Sequence, residues 1–308
     1  MDAVVVLMST YNGVEYIDDQ LRSIFNQENV QVTLLVRDDG SSDGTTAVIK
    51  DYISKGNPIS IIEGENVGFS RSFTLLLEEA VRRYSDAAWF AFSDQDDYWH
   101  SDKLSRALNY IRSQASVTDL KKAVAYASNT TLVDRDLKEM RLCWNPLKVS
   151  LSPGRSLVQN FATGCTMVFN RAAAELYVRL VPEKIMAHDF FMYQICTFLG
   201  SFVWDPESRI SYRQHGNNQI GRLTFLQRMK RRFSRTTYLE RVLENQNRQL
   251  YGAIAPYLDT DKEKLLEKFC NYRCNLLSRL SLLFDREISC SGREADFFYR
   301  LKIILGTV

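Results

Sequence analysis

Three carboxylates crowd four positions in Phe92-Ser93-Asp94-Gln95-Asp96-Asp97-Tyr98-Trp99, directly after the apolar, aromatic run Ala87–Phe92. Like charges this close raise one another's pKa, and a cation is the usual relief. A hard divalent ion held by one or two carboxylates, with phosphate oxygens in its other positions, is how magnesium or manganese binds to nucleotides. Read alone, the cluster is equally an acidic turn capping the helix that begins near Ser101. A lone carboxylate, Asp189, stands further on in Met186-Ala187-His188-Asp189-Phe190-Phe191-Met192, where apolar residues open a helix running to about Leu199. It reads either as an N-terminal carboxylate favoured by the helix dipole or as a general base for a hydroxyl that must lose a proton.

Strand and helix signals alternate through the first 110 residues. The β-branched run Ala3–Met8 predicts a central parallel strand covered on both faces. Ile17, Leu21, Ile24 and Phe25 then recur as one face of a helix. Strands follow at Val32–Val36, Ile59–Ile62 and Ala87–Phe92, with helical stripes after each (Val48, Ile49, Tyr52, Ile53; Phe69, Phe73, Leu76, Leu77, Ala80; Leu104, Leu108, Ile111). This alternation implies a parallel sheet with right-handed crossovers, whose ligands bind outside the carboxyl ends of the strands. The polar loops 9–13, 38–45, 64–68 and 93–97 all fall at that edge, so four loops converge on one crevice. Asp38 and Asp39 can accept hydrogen bonds from a base or ribose, Asn12 offers donor and acceptor, Thr10 a hydroxyl and Arg71 a fixed charge. Each loop taken singly is also ordinary turn chemistry. There is no Gly-x-Gly-x-x-Gly fingerprint and no Gly-x-x-x-x-Gly-Lys loop, which argues against a dehydrogenase or a P-loop ATPase.

The 308 residues, 45% hydrophobic and 25% charged, are those of an ordinary globular protein, and a net charge of +2 gives no global reason to expect nucleic acid. No secretory signal is expected, since the apolar run after Asp2 is short and has no basic region before it. No run reaches the ~18–20 apolar residues of a membrane span. The six cysteines are scattered among apolar neighbours, which predicts reduced thiols in a cytoplasmic protein.

The run Ser9–Gly13, the loop Asp38-Asp39-Gly40-Ser41-Ser42-Asp43-Gly44-Thr45, Asn66-Val67-Gly68 and Asp94-Gln95-Asp96, in this order, resemble the nucleotide-sugar half of a family 2 glycosyltransferase. The form Ser-Asp-Gln-Asp-Asp-Tyr-Trp, with Tyr212-Arg213-Gln214-His215-Gly216-Asn217-Asn218 later, is most similar to bacterial rhamnosyltransferases of cell-surface polysaccharide assembly. The resemblance spans roughly residues 3–221 and implies an α/β, GT-A type, Rossmann-like and mostly parallel sheet flanked by helices, with a helical C-terminal appendage. It divides the chain into a catalytic domain, 1–221 (nucleotide-sugar half 1–113, acceptor half 114–221), and a C-terminal region, 222–308. It further implies that Thr10, Asp39 and Arg71 hold the base, with Tyr11, Asn12, Asn66 and Gly68 beside them, and that Asp94 faces the ribose. Asp96 would ligate a divalent metal, manganese or magnesium, bridging the diphosphate. His215 is either a third ligand or, with Arg213, a neutraliser of the departing diphosphate. On the acceptor side it sets Asp97, Trp99 and the segment Gly164-Cys165-Thr166, a segment that reads equally as a packed strand with a glycine bulge. Asp189 falls at the catalytic-base position. His188, standing where an acidic residue is usual, either orients Asp189 or does nothing chemical.

The family context implies an inverting transfer of L-rhamnose from dTDP-L-rhamnose to a lipid-linked glycan. The same fold with a UDP-hexose or UDP-N-acetylhexosamine donor, and a non-catalytic polyanion-binding module, are the rival readings. After Leu223 the material changes: Leu223, Leu226, Met229 and Phe233 lie at helical spacing among Arg222, Arg228, Lys230, Arg231, Arg232 and Arg235. A basic amphipathic helix suits an anionic membrane surface, although a helix packed on the domain or on a partner has the same pattern. A second aromatic and basic run, Phe297–Leu305, closes the chain. Residues 222–308 are therefore expected to dock the protein on the inner face of the plasma membrane or to build a homo-oligomer.

Overall fold

The continuous apolar runs form strands buried on both faces, and alternate residues of each strand feed two different cores. In the computed structural model, which describes residues 1–114, 119–214 and 236–306, Val5 and Leu7 of β1 (Asp2–Thr10) face one core while Val4, Val6 and Met8 face the other. β2 (Val30–Asp38), β3 (Ile59–Glu63) and β4 (Trp89–Ser93) lie parallel to it in the order β3-β2-β1-β4. The register aligns Thr10 with Asp38, and Asp38 with Glu63, so the strands end together at one edge. The crossovers are α1 (Ile17–Phe25), α2 (Thr45–Ser54) and α3 (Phe69–Arg83), each burying the stripe its periodicity predicts: Ile17, Leu21 and Ile24; Ile49; Phe73, Leu76, Leu77 and Ala80.

The second half extends the sheet with mixed pairing. After the two-residue β5 (Tyr98–Trp99) and α4 (Lys103–Ser113) come β6 (Val124–Val133), β7 (Glu139–Leu142), the short α5 (Pro153–Ser156) and β8 (Val168–Asn170). α6 (Arg171–Leu180), α7 (His188–Leu199) and β9 (Ser201–Arg213) complete it. The full order is β3-β2-β1-β4-β8-β6-β9-β5, with β7 on β6. β8 runs antiparallel to β4, pairing Ala91 with Val168, and so brings residues 164–167 to the edge where the first four loops meet. β5 runs antiparallel to β9, pairing Tyr98 with Ser211, and returns the end of β9 to the acidic loop.

Two strands outrun their sequence signals. The apolar run Ala123–Ala127 carries a strand signal that ends well before β6 does at Val133, and β9 begins at Ser201 although its alternating pattern is broken at Asp205-Pro206-Glu207. Asp205-Pro206-Glu207 looks like a turn, yet Asp205 is fully buried within β9. Arg106 Nε and Nη2 donate to its two oxygens at 2.7 and 3.1 Å, and the Tyr126 hydroxyl donates at 3.1 Å. A paired and bonded carboxylate can be buried where a lone one cannot, and the ladder absorbs the interruption by shifting register near Ser128–Asn129.

The C-terminal region is helical, as expected, but it is built into the main core. α8 (Thr236–Ile254), α9 (Thr260–Asn271), α10 (Leu276–Leu283) and α11 (Arg293–Leu305) contribute Leu250, Ile254, Leu266, Phe269, Leu282 and Ile303 to the cluster that contains Phe191 and Tyr193 of α7. Asp259 and Asn275 cap α9 and α10 by accepting from Lys262 N and Ser278 N. A buried amide relay joins the two parts: Gln194 Nε2 donates to Asn247 Oδ1 at 2.7 Å and to Ser156 O at 2.9 Å, and Asn247 Nδ2 donates to Leu157 O at 3.1 Å. The basic stripe 222–235, like His215 and Gly216-Asn217-Asn218, lies outside the described residues. A methyl group on Gly154 would meet the Glu287 backbone at 2.8 Å. Gly154→Ala is therefore expected to destabilise the whole protein by about 1–3 kcal/mol, read as one shifted thermal transition and not as a separate early melting of the C-terminal helices.

Candidate active site

The four loops and the two returning segments enclose a cavity of about 430 Å³ at the strand ends, within the range of ligand pockets. The carboxylates Asp94 and Asp96, both half-buried, line it together with Asp39. Gly164, His188 and Asp189 line it as a contiguous group, and Phe69 and Phe73 of α3, packed against His188, give it an apolar wall. Tyr11, Asn66 and Gly68 complete the expected nucleotide end. These positions from six separate stretches of sequence share one chamber.

Several expected contacts are absorbed by the scaffold. Thr10 is buried, its hydroxyl donating to Asp38 Oδ2 at 2.7 Å, and Asp38 is occupied further by Gly40 N, Ser41 N and the Ser41 hydroxyl. Asn12 accepts from Ser42 N at 2.9 Å and so ties the first loop to the second. Asp39, the neighbour that does reach the cavity, is fixed by Arg37 and by Val67 N, which donates to it at 3.1 Å. Arg71 points along the outside of α3 to Glu78 at 3.4 Å. Arg213 is buried: its Nε donates to Asp96 O at 3.0 Å, its Nη2 to Asp19 at 3.1 Å, and its guanidinium lies 4.8 Å from the Tyr16 ring centre. It clamps the acidic loop from behind. Neither arginine lines the cavity.

The expected acceptor-side residues also divide. Trp99 is 1% exposed and lies in the core with the Lys103 ammonium 3.4 Å above its ring, because β5 turns it inward. Thr166 is buried, donating to Thr163 O at 2.7 Å. Asp97 and Cys165 sit beneath the cavity floor, and their ligand atoms lie within 4.8 Å of one another and of Asp94. Burial, and then the charges of Asp96 and Asp94, push Asp97 well above the carboxylate range. Burial and the neighbouring carboxylates likewise push the Cys165 thiol up. Burial pulls Lys103 down to about 7, with the charges of Cys165 and Asp97 acting in the opposite direction. The Cys165 thiol and the neighbouring Lys103 amine make the Asp97 end of this cluster a poor home for a hard ion, which leaves the carboxylates that line the chamber.

Asp94 and Asp96 differ. Burial raises Asp94 to about 7, and the charges of Asp96 and Asp189 add to the shift. These are hard oxygen donors facing the chamber, and an opposite charge there would reverse the shift. The pair fits a divalent cation.

Asp189 is held by three donors: Gly164 N to Oδ2 at 2.9 Å, Asn160 Nδ2 to Oδ1 at 3.2 Å and its neighbour Phe190 N to Oδ1. Burial still raises it to about 6, those hydrogen bonds opposing the rise. Gly164 cannot carry a side chain, for a methyl group there would lie 2.7 Å from His188 Nε2. His188 does not orient Asp189. Its ring stacks on Phe73 at 3.9 Å and meets the Phe92 edge at 4.7 Å, with neither nitrogen hydrogen-bonded. Burial holds it neutral, down to about 3.

Four other lining residues had no role of their own assigned from the sequence. Ser9, Gln95, Thr163 and Tyr212 all face the chamber. Gln95 Nε2 donates to Tyr11 O at 3.0 Å and its Oε1 accepts from Tyr11 N at 2.9 Å, which locks the first loop to the acidic one. Carbon-detected NMR of the carboxylates should show one aspartate titrating near pH 6 that disappears in Asp189→Asn. Its midpoint should move upward in Asn160→Ala, which removes a donor to the charged form.

The chain matches the model of "Glycosyl transferase family 2" over residues 5–176. A relative from Shigella flexneri, the dTDP-rhamnosyl transferase RfbG, is 27% identical over 237 residues, covering 73% of this chain and 77% of that protein. Among solved structures, S. aureus TarS 1–349 in complex with UDP-GlcNAc superposes with a TM-score of 0.59 at 15% identity, covering 100% of this chain and 82% of that one. The mannosyltransferase PcManGT from Pyrobaculum calidifontis, in complex with GDP-Man and Mn2+, gives 0.50 at 16% identity, covering 97% and 86%. The sheet and its flanking helices are thus the GT-A fold, and the chain belongs to glycosyl transferase family 2.

Proposed function

We propose that the protein transfers L-rhamnose from dTDP-L-rhamnose to a hydroxyl of a lipid-linked glycan, with inversion, during assembly of a bacterial surface polysaccharide. The observation that carries this reading is the gathering of Asp189 with Asp94 and Asp96 in one chamber. An acceptor hydroxyl needs a base on one side of the anomeric carbon and a stabilised leaving group on the other, and a single displacement between them inverts that centre. Asp189, raised to about 6, is a stronger base than an ordinary carboxylate while remaining ionised at neutral pH. Its two oxygens are already aimed by Gly164 and Asn160, so little reorganisation accompanies proton transfer.

Asp39 accepts from the base, Tyr11, Asn66 and Gly68 enclose the nucleoside, and Asp94 faces the ribose. Asp96, with Asp94 beside it, would hold manganese or magnesium, and the bound ion would neutralise the charge of the diphosphate. The Mn2+ complex of PcManGT and the shared fold support that assignment. The rhamnosyl assignment draws on the RfbG relative, and the wall of Phe69 and Phe73 suits the apolar C6 methyl of a deoxy sugar. The lipid-linked acceptor sets the work at the inner face of the plasma membrane. Among the described residues no helix is long and apolar enough to cross a membrane.

Titration calorimetry with dTDP-rhamnose, UDP-glucose and UDP-N-acetylglucosamine, each with and without Mn2+, tests the donor. Binding of dTDP-rhamnose alone, dependent on Mn2+ and lost in Asp96→Ala, is expected; binding of a UDP-sugar instead overturns the rhamnose assignment. In turnover, Asp189→Asn should lower kcat by about 10²–10⁴-fold with donor affinity within a factor of about two. Protonation removes the base, so the wild-type rate should fall as pH drops below about 6, and a bound cation should move that limb lower.

A further inference from the structure

Asp189 is held by a strap that belongs to no helix or strand. Residues 159–163 run from the end of α5 to the turn Gly164-Cys165-Thr166 without regular secondary structure. This short stretch and the residue after it bind both oxygens of the carboxylate: Asn160 Nδ2 donates to Oδ1 at 3.2 Å, and Gly164 N donates to Oδ2 at 2.9 Å. Asn160 is turned toward Asp189 by Ala162 N, which donates to its Oδ1 at 2.9 Å. A segment that has no ladder or helix of its own is placed by such local and side-chain bonds. A catalytic group has to be held to within about 0.5 Å, and that is the work of the residues behind it.

The anchor at the start of the strap comes from the C-terminal helices. Gln159 Oε1 accepts from Ser291 N at 2.6 Å, across 132 residues of sequence, and the Ser291 hydroxyl accepts from Arg155 Nη1 of α5 at 2.8 Å. Ser291 lies in the connection between α10 and α11, and that connection is itself closely bonded. Asp285 Oδ1 accepts from Glu287 N and Ile288 N at 2.8 and 2.9 Å, and Asp296 Oδ1 accepts from Cys290 N at 3.1 Å. Arg300 pairs with Asp296 at 2.7 Å and donates to Asp285 O at 3.2 Å. Ile288 is fully buried in the main core. The connection is therefore a fixed point to which the strap is tied.

We propose that Gln159 and Ser291 are positioning residues for the transfer reaction: through their bond the C-terminal helices fix the strap, and the strap aims the Asn160 donor at Asp189. The inference rests on the reading of Asp189 as the base. Gln159 acts through the residue beside it, and Ser291 acts through Gln159. The helical C-terminal region thus takes part in the chemistry although, among the described residues, none of its side chains lines the chamber.

Carbon-detected NMR of the full chain tests this without donor or acceptor. The Asp189 midpoint, near pH 6, should move upward by about 0.5 pH unit or more in Gln159→Ala, because a displaced Asn160 donates less well to the charged form. The titratable groups that face Asp189 from the acidic loop, from α6 and from its own helix, Asp94, Tyr177 and His188, are unaltered in every variant. Gln159→Ala/Asn160→Ala should move the midpoint no further than Asn160→Ala alone, since the first change acts through the second. Leu282→Ala, which opens a cavity in α10 away from the link, should lower the melting temperature more than Gln159→Ala does and leave the midpoint in place. An unmoved midpoint in Gln159→Ala, additive movements in the double variant, or an equal movement in Leu282→Ala overturns the proposal. Turnover by Asp189→Asn tests the base separately: a wild-type rate there overturns the base reading, and this one with it, even where the midpoints behave as expected.

Discussion

Mutual repulsion among Asp94, Asp96 and Asp97 is the constraint around which the rest is arranged. Three carboxylates on one tight loop cannot all be desolvated as anions without compensation, and each is treated differently. Asp97 points down beside Cys165 and the Lys103 ammonium, and the backbone of Arg213 donates to it. The Arg213 side chain bonds the loop's backbone at Asp96 O. Asp94 and Asp96 are left facing the chamber. The supporting groups come from three distant places, α4, the end of β9 and the segment before β8, and the antiparallel returns of β5 and β8 are what deliver the last two. The second half of the sheet is thereby as necessary to the acidic loop as the strand that carries it.

Asp189 depends on a related balance. Removing water makes it basic, and three N–H donors keep it ionised at neutral pH despite that loss. The neighbouring imidazole takes no part in this. Enclosed by Phe73 and Phe92, it is a neutral aromatic plate in the wall, and its polar atoms are directed by packing and not by the carboxylate beside it in sequence.

What the sequence made legible was the location of the site more than its inner surface. Strand periodicity and turn residues placed four loops at one sheet edge, and the register of Thr10, Asp38 and Glu63 agrees. Which of two adjacent side chains enters the chamber depends on strand pleat and loop bonding, which spacing does not reveal. Asp38 and Asp39 look interchangeable, yet the first is consumed by its own turn and only the second lines the cavity. Arg71, Arg213 and Trp99 carry suitable chemistry at suitable places but face outward, beneath or inward. Phe69 and Phe73 read as a helix stripe, because a helix face that packs and one that lines a pocket have the same period. Asn160 left no trace and Gln95 showed no role within its motif, since their partners lie 29 and 84 residues away.

The amide relay of Gln194, Asn247 and Leu157 changes how the chain's apparent division should be regarded. Those bonds are buried, and around them Leu250, Ile254 and Phe269 complete the same apolar core as α7. A peptide bond cut anywhere between Gln214 and Thr236 would sever the connection in sequence and leave this interface intact. The two fragments would then stay together as a noncovalent pair, and on their own each would present to water the surface that the other had covered.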